Sequence, residues 1–318
     1  MRTLILVAGM HRSGTSAFTG ALTLAGAALP ADPMPANSAN ERGFFESMPF
    51  MQLHDEILES ASTDWRDWRA FPGNWHIGSA AASFRERAIE LIEQQYGSAP
   101  LVAIKDPRIC RFMPFWIDAA RQGGFLPRVV IPFRAPYEVA QSLATRDEMT
   151  VVEGLMLWLR HVLDAERDSR GLPRAFVSME NLLADWEGAL DRVGRQIDVI
   201  WPDVNAAEIS AFLEPSLRHH NRSADGAAGV WATEVHDALS EFVERPQSQS
   251  GASRLDAVAA SFEQACKLFD PSLGASAPLP ELNSPDFTRA PLRRRTALLR
   301  ARLETLDAEI AAAAARRR

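Results

Sequence analysis

The sequence has few cysteines, no long hydrophobic run and no excess of positive charge. Its two cysteines, Cys110 and Cys266, are too few for a disulfide framework and have no metal-ligand spacing around them, so we expect ordinary thiols in a reducing compartment. The apolar stretch at residues 4–8 is too short for a signal-peptide core or a membrane span. The sequence therefore predicts a cytoplasmic protein with at most peripheral membrane contact.

The charge balance argues against a surface dedicated to nucleic acid. The 318 residues include 34 Lys and Arg against 41 Asp and Glu, which gives a formal net charge of -7. Any anion site must therefore be a local concentration of arginines and backbone N–H groups. The hydrophobic content of 47% is enough for the full core of one large domain or two modest ones.

A glycine-rich loop near the start of the chain lacks the lysine that its spacing leads one to expect. Residues 9–16 have the spacing GxxxxGK[ST], but Thr15 occupies the lysine position. The loop reads Gly9-Met10-His11-Arg12-Ser13-Gly14-Thr15-Ser16. In such loops the backbone N–H groups and the following helix N-terminus bind phosphate oxygens, while the lysine reaches the outer phosphates of a nucleoside triphosphate.

The missing lysine changes the expected ligand. The loop can still hold one phosphate at the start of a helix, and Arg12 can direct a permanent charge toward the group that leaves that phosphate. These features favour a nucleotide with a 5′-phosphate and a transferable group over a triphosphate with magnesium. The alternative is a glycine-rich strand-to-helix turn without a ligand, since Gly and Thr are common in such turns.

The rest of the pattern indicates an α/β fold in which short apolar runs alternate with helical segments. We expect parallel strands at residues 4–8, 101–104, 129–133 and 175–178. We expect helices at residues 15–25, 49–60, 80–96, 113–122, 136–145, 151–169, 181–197, 209–213, 230–242 and 255–268. This predicts a P-loop NTPase-like three-layer sandwich with a central parallel sheet of about four to five strands, plus a helical C-terminal extension.

Three regions are expected along the chain. Residues 1–235 form the P-loop α/β domain, 236–290 a helical extension with linkers at 247–253 and 271–285, and 291–318 an Arg-rich amphipathic terminal helix. The terminal helix has a few apolar residues at heptad-like spacing, too few to argue firmly for a coiled coil. It is a surface helix, a homodimer or partner contact, or a weak membrane-surface attachment.

A second anion site is suggested after the third strand. Arg134 lies at the carboxyl end of that strand, Pro136 suits the first turn of the next helix, and Ser142 follows eight positions after Arg134. An arginine at a strand end and a serine on the following helix can converge on one more phosphate. Taken alone the pattern is weak, because a helix serine often faces solvent or a backbone carbonyl.

With both sites in view, the sequence resembles the sulfotransferases that use 3′-phosphoadenosine 5′-phosphosulfate (PAPS), particularly the bacterial carbohydrate-type members. The family's phosphosulfate loop reads Lys or Arg, Ser, Gly, Thr, Thr or Ser, which Arg12, Ser13, Gly14, Thr15 and Ser16 match. Its 3′-phosphate site uses an Arg and a Ser eight residues later, as do Arg134 and Ser142. The resemblance covers roughly residues 3–186 and includes the segments 43–46 and 105–108.

The sequence departs from the cytosolic branch of that family in two places. It has no Arg-Lys-Gly element in its last third, and Ala17 replaces the aromatic residue that often follows the loop. Adenine recognition is therefore unassigned.

The resemblance implies in-line transfer of a sulfuryl group from PAPS to an acceptor hydroxyl, with PAP as product and no need for a metal. Arg12 and Lys105 are the candidate cations for the leaving charge, and the loop residues His11 to Ser16 hold the nucleotide. Lys105 is alternatively a surface lysine or a partner of Asp106. Glu46 is the candidate base, as similar carboxylates are in carbohydrate sulfotransferases, with Glu41 and His54 as competitors.

The acceptor and the rival functions stay open at this point. A carbohydrate or glycolipid hydroxyl follows from the resemblance alone, with peptide tyrosine and small hydroxylated metabolites as alternatives. The rivals are a P-loop small-molecule or sugar kinase that uses ATP-Mg, with Asp106 as its magnesium carboxylate, and a non-catalytic nucleotide-binding scaffold. Several aromatic residues either line a sugar-stacking groove or fill the core: Trp65, Trp68, Phe71, Trp75 and Trp116.

Overall fold

The centre of the fold is a four-stranded parallel sheet. The computed structural model describes residues 2–35, 43–213 and 229–268. Within them the strands are β1 (Arg2–Val7), β2 (Leu101–Lys105), β3 (Phe125–Phe133) and β4 (Arg174–Ser178), in the order β2-β1-β3-β4. All neighbours pair in parallel, so the strands have helices on both faces and read as continuous apolar runs. The prediction of four parallel strands in an α/β fold is confirmed.

Helices connect and follow the strands. They are α1 (Thr15–Leu24), α2 (Met48–Ser60), α3 (Ser79–Tyr96), α4 (Met113–Gln122), α5 (Pro136–Asp147), α6 (Val151–Ser169), α7 (Met179–Ala184), α8 (Trp186–Gln196), α9 (Ala206–Phe212), α10 (Gly229–Glu244) and α11 (Gln249–Leu268). Two short 3₁₀ helices lie at Trp75–Ile77 and Pro107–Arg111.

Two expectations about the helices were wrong. The single helix expected at 181–197 is divided into α7 and α8 at Asp185, whose carboxylate accepts a hydrogen bond from the Gly188 backbone N–H at 2.9 Å and caps α8. The linker expected at 247–253 is the start of α11, where the Ser248 hydroxyl accepts from the Gly251 N–H at 3.2 Å. In both places a local side-chain cap determined the helix boundary.

Helices cover both faces of the sheet. Ile5, Val7 and Ala175 face a buried apolar cluster that includes residues of α1 and α8. On the opposite face, the ring of Phe176 stacks on Phe242 of α10 with centroids 4.8 Å apart. The result is three layers, and the carboxyl ends of all four strands are left at one edge, where ligands bind in such sheets.

The chain divides into two compact units, residues 1–264 and 265–318, and only residues 265–268 of the second are described. Residue 235, the expected end of the first domain, lies within the continuous helix α10, and the domain division stays a prediction. The linker expected at 271–285 and the terminal helix at 291–318 lie outside the described residues. No helix of the described ranges has the length and apolar character needed to cross a membrane.

Candidate active site

The glycine loop connects β1 to α1 at the carboxyl edge of the sheet. A Cβ at Gly9 would come within 2.5 Å of the Pro132 carbonyl oxygen of β3, so no larger residue fits there. Gly14 has a φ of 83°, and Arg12 has the left-handed φ of 67°, which is unusual for a residue with a side chain. The loop thus holds a strained conformation of a kind that clusters at ligand-binding sites.

Two polar atoms of the loop are buried without a hydrogen-bond partner among the described residues. They are the hydroxyl of Ser13 and Nε2 of His11. Burial, and after it the positive charges of Arg146 and Arg108, lowers the pKa of His11 well below its ordinary value. His11 is therefore neutral at physiological pH. Orphaned buried polar groups of this kind fit a loop that binds a polar ligand.

The glycine loop and the second predicted anion site meet directly. Nε of Arg12 donates a hydrogen bond to the hydroxyl of Ser142 on α5 at 2.8 Å. Arg134, at the end of β3, pairs with Glu138 one helical turn later at 2.6 Å. Burial, followed by the positive charges of Arg146 and Arg134, lowers the pKa of Arg12. Three arginines therefore lie near the contact between Arg12 and Ser142.

Lys105 ends β2 and links the sheet edge to two other segments. Its ammonium donates to the Ser16 hydroxyl at 3.1 Å and to the Phe44 carbonyl oxygen at 3.0 Å. It also forms an ion pair with the carboxylate of Glu46. Both residues of the pair are buried, at 4% exposure for Lys105 and 6% for Glu46. The structure thus brings the predicted cation and the predicted base together, and gives Lys105 Glu46 as its ion-pair partner rather than the adjacent Asp106.

The segment that carries Glu46 is anchored by an aromatic side chain. Phe45 adopts a φ of 55°, and its ring meets Phe212 edge to face with centroids 5.7 Å apart. This fixes the neighbouring Phe44 carbonyl and the Glu46 carboxylate against Lys105. Burial raises the pKa of Glu46, while the charge of Lys105 opposes that rise.

The two competing bases have different outcomes. His54 is fully buried; its Nε2 accepts from the Trp116 indole N–H at 3.0 Å and its Nδ1 faces the Asp106 carboxylate at 3.1 Å. Nδ1 is buried and lies close to Asp106, without a hydrogen bond of good geometry among the described residues. His54 is enclosed by core side chains, including the rings of Phe112 and Trp116, and this position weighs against a role as the base. Glu41 lies outside the described residues.

Asp106, the magnesium carboxylate of the kinase alternative, is engaged elsewhere. It accepts from the Arg108 backbone N–H at 2.8 Å and from the Arg108 guanidinium at 3.2 Å. Burial alone raises its pKa, but the charge of Arg108 and the neighbouring His54 hold the pKa of Asp106 well below its usual range. This carboxylate is therefore a permanently charged partner of the protein's own groups.

The aromatic residues divide between core and site. Trp116 is fully buried, and the rings of Phe71 and Trp75 pack on each other with centroids 5.5 Å apart. Trp65, in contrast, contacts His11 of the glycine loop, with ring centroids 4.7 Å apart. Sequence reasoning grouped these residues and did not separate Trp65 from the core. It also missed Arg146, although the i,i+4 spacing from Ser142 was a usable signal.

Among solved structures, this chain is similar to two sulfotransferase domains. No family model and no curated protein sequence matches this chain. The sulfotransferase domain of the Synechococcus PCC 7002 olefin synthase is 18% identical, with a TM-score of 0.41, over 74% of this chain and 94% of that one. The sulfotransferase domain of the curacin biosynthetic pathway is 15% identical, with a TM-score of 0.38, over 82% of this chain and 97% of that one.

Proposed function

We propose that the protein transfers a sulfuryl group from PAPS to an acceptor hydroxyl and releases PAP. The observation that supports this most is the 2.8 Å hydrogen bond from Arg12 to Ser142. It joins two anion sites that are 130 positions apart in the chain, so that one nucleotide with phosphates at both its 5′ and 3′ positions can reach both. A nucleotide with a phosphate group at only one end would occupy only one of the two anion sites.

The chain's residues have separable roles in binding. The backbone N–H groups of residues 14–16, at the start of α1, hold the 5′ end of the nucleotide, since the Ser13 N–H already donates to the Met10 carbonyl oxygen at 3.2 Å. Arg12 stabilises the charge that develops on the 5′-phosphate oxygen as it leaves, and it does so without reorganisation because Ser142 already fixes its guanidinium. Arg134 and Ser142 hold the 3′-phosphate. PAPS supplies an activated sulfuryl group, so the protein has mainly to align it with the acceptor.

Glu46 is the base in this proposal. It takes the proton from the acceptor hydroxyl as the acceptor oxygen forms its bond to sulfur and the bond from sulfur to the 5′-phosphate oxygen breaks. Burial raises its pKa and so improves its proton affinity. Lys105 keeps the carboxylate ionised in a dry environment and places positive charge close to the group in transfer. The acceptor class, a carbohydrate or glycolipid, is proposed from the family resemblance.

Transfer from radiolabelled PAPS to a fractionated extract tests the function and identifies the acceptor. We expect label to appear in an acceptor fraction with the wild-type protein. Glu46→Gln is expected to lower the rate about 10²- to 10⁴-fold, the usual contribution of a general base, while PAP binding persists. The exposed Glu90 on α3 provides the matched control, and Glu90→Gln is expected to keep the wild-type rate.

Two results would contradict this account in different ways. Full activity of Glu46→Gln would assign the base role to another residue. Failure of the wild-type protein to bind PAP, together with transfer of label from ATP in the presence of magnesium, would favour the kinase. The engagement of Asp106 by Arg108 and His54 weighs against that second outcome.

A further inference from the structure

Arg146 lies on α5 one helical turn beyond Ser142. Residues four apart on a helix share a face, so Glu138, Ser142 and Arg146 form one stripe along α5. The middle of this stripe is the hydroxyl that accepts the hydrogen bond from Arg12. The stripe therefore runs past the glycine loop, and its far end carries a positive charge.

Trp65 links this end of α5 to the glycine loop. Its ring contacts His11 of the loop, with centroids 4.7 Å apart, and the guanidinium carbon of Arg146 lies 5.9 Å from the Trp65 ring centroid. The contact of Arg12 with Ser142 and the shared contact with Trp65 thus place Arg146 beside the loop from two independent directions. Arg134 lies before α5, at the end of β3, and pairs with Glu138 at the other end of the stripe.

The segment that carries Trp65 is held rigidly by two buried arginines. Arg111 donates to the carbonyl oxygens of Asp67 at 2.6 Å and Arg69 at 2.7 Å. Nε of Arg160 donates to the carbonyl oxygen of Trp68 at 2.9 Å. Three consecutive backbone carbonyls are therefore bound by side chains of the core. These bonds hold the segment that carries Trp65, the ring that Arg146 faces, in one position.

The charges around the loop are mostly positive. Arg146 pairs with the neighbouring Asp147 at 2.7 Å, and Arg66 lies 3.8 Å from the same carboxylate. Glu138 is the partner of Arg134. Arg146 and Arg134 both add repulsion at Arg12, and an anion bound among the three would relieve it. The buried hydroxyl of Ser13, which has no partner among the described residues, lies in the same loop and independently favours a ligand there.

We propose that Arg146 is a third nucleotide-binding arginine, which contacts the charged 5′ end of the nucleotide and takes the role of the lysine that the glycine loop lacks. This inference rests on the proposed function. The 5′ end is assigned because Arg146 faces Trp65, whose ring contacts His11 of the loop, whereas Arg134 lies at the end of β3.

Calorimetric titration with three nucleotides tests the assignment. PAP carries both phosphates, 5′-AMP only the first and 3′-AMP only the second. Arg146→Gln is expected to weaken PAP and 5′-AMP about ten- to a hundredfold, the loss of one charged hydrogen bond, and to leave 3′-AMP within about twofold. Arg146→Lys, which keeps the charge but loses the planar fork, is expected to lie between wild type and Arg146→Gln.

Arg66→Gln is the matched control. Arg66 is also positive, faces the same Trp65 ring at 5.2 Å and lies beside the same Asp147, but it is not on α5. We expect it to change 5′-AMP affinity less than about threefold, since Arg66 is not on the face of α5 that carries Ser142 and its side chain is more exposed than that of Arg146, so salt screens its charge more. An equal loss in Arg66→Gln would show a diffuse charge effect and overturn the assignment of Arg146.

The remaining outcomes separate this inference from the proposed function. If wild-type protein binds PAP and Arg146→Gln binds PAP and 5′-AMP equally well, the role of Arg146 is refuted and the sulfotransferase proposal stands. If wild-type protein binds no PAP, both proposals fail together. Thermal melting of each variant establishes that it is folded before titration. Should Arg146→Gln not fold, the Arg146→Lys titration decides, and unchanged 5′-AMP affinity in it refutes the role.

Discussion

Two buried ion pairs lie at opposite ends of the sheet, and they differ in what surrounds them. Lys105 and Glu46 meet at the carboxyl end of β2, and Arg174 and Glu166 meet at the amino end of β4, 3.0 Å apart. Each pair is almost entirely removed from solvent. The two ion pairs are therefore alike in burial and in charge, and neither property shows which pair belongs to a functional site and which is a structural contact.

The partners of each cation make the distinction. Arg174 also donates to the carbonyl oxygens of Pro246 and Glu166, both at 2.8 Å, so its contacts tie β4 to α6 and to the segment before α11. Glu166 has a second cation in Arg170. Lys105 instead contacts Ser16, the last residue of the glycine loop, and the Phe44–Glu46 segment. The first pair joins elements of the core, whereas the second joins the segments that we propose to bind and react.

Between the two cations, Lys105→Met is expected to have the larger effect on the transfer rate. It removes the charge that keeps Glu46 ionised, so sulfuryl transfer from radiolabelled PAPS should fall about 10²-fold or more. Arg174→Met is the comparison variant, and its rate per folded molecule should match wild type. Equal loss of activity in both variants would contradict the claim that only the Lys105–Glu46 pair acts in the reaction.

The second prediction concerns stability, and here Arg174→Met is expected to have the strong effect. Arg174→Met leaves Glu166 with Arg170 alone and removes donors from buried carbonyls, so the free energy of unfolding should fall by about 3–5 kcal/mol. Urea denaturation measures this, and PAP affinity of the folded fraction should be unchanged. A loss below about 1 kcal/mol would mean that Arg170 replaces Arg174 completely.

The smallest effect is a pH dependence of the Lys105→Met variant. Without Lys105 the pKa of Glu46 rises further, so the folded state keeps a proton that the unfolded state releases as pH rises above the ordinary Glu value. The free energy of unfolding then falls with pH over that window. The cost of Lys105→Met should be about 1 kcal/mol greater at about pH 8 than at about pH 5.

A double variant controls for other titrating groups. Lys105→Met combined with Glu46→Gln has no carboxylate at this position, so the extra pH dependence should disappear. If it persists in urea denaturation at both pH values, another group is responsible and the pairing of Lys105 with Glu46 does not govern it.

The sequence predicted what short-range patterns encode. The four strands, the glycine loop and most helix boundaries depend on apolar periodicity and caps within a few residues, and Arg134 with Ser142 depends on a fixed spacing. The pairing of Lys105 with Glu46 was not predictable in this way, because 59 positions separate them and only the closed fold brings Phe44 and Glu46 to β2. Its neighbour in sequence, Asp106, was one alternative partner for Lys105, and in the structure it pairs with Arg108 instead.

The same limit applies to the surroundings of Trp65. Its position depends on Arg111 and Arg160, which bind backbone carbonyls of residues 67–69. Such contacts leave no periodic trace in the sequence, because any residue supplies a carbonyl. The aromatic residues could therefore be recognised as a group, but which of them belongs to the site depended on the tertiary structure.

The account depends on one nucleotide being held at both ends, and the ratio of PAP to 5′-AMP affinity measures this directly. In wild-type protein, calorimetry should give PAP about ten- to a hundredfold tighter binding than 5′-AMP, because the 3′-phosphate gains the charged contact with Arg134. In Arg134→Ala that ratio should fall toward one while 5′-AMP affinity is kept. An identical ratio in wild type and Arg134→Ala would contradict the two-site account.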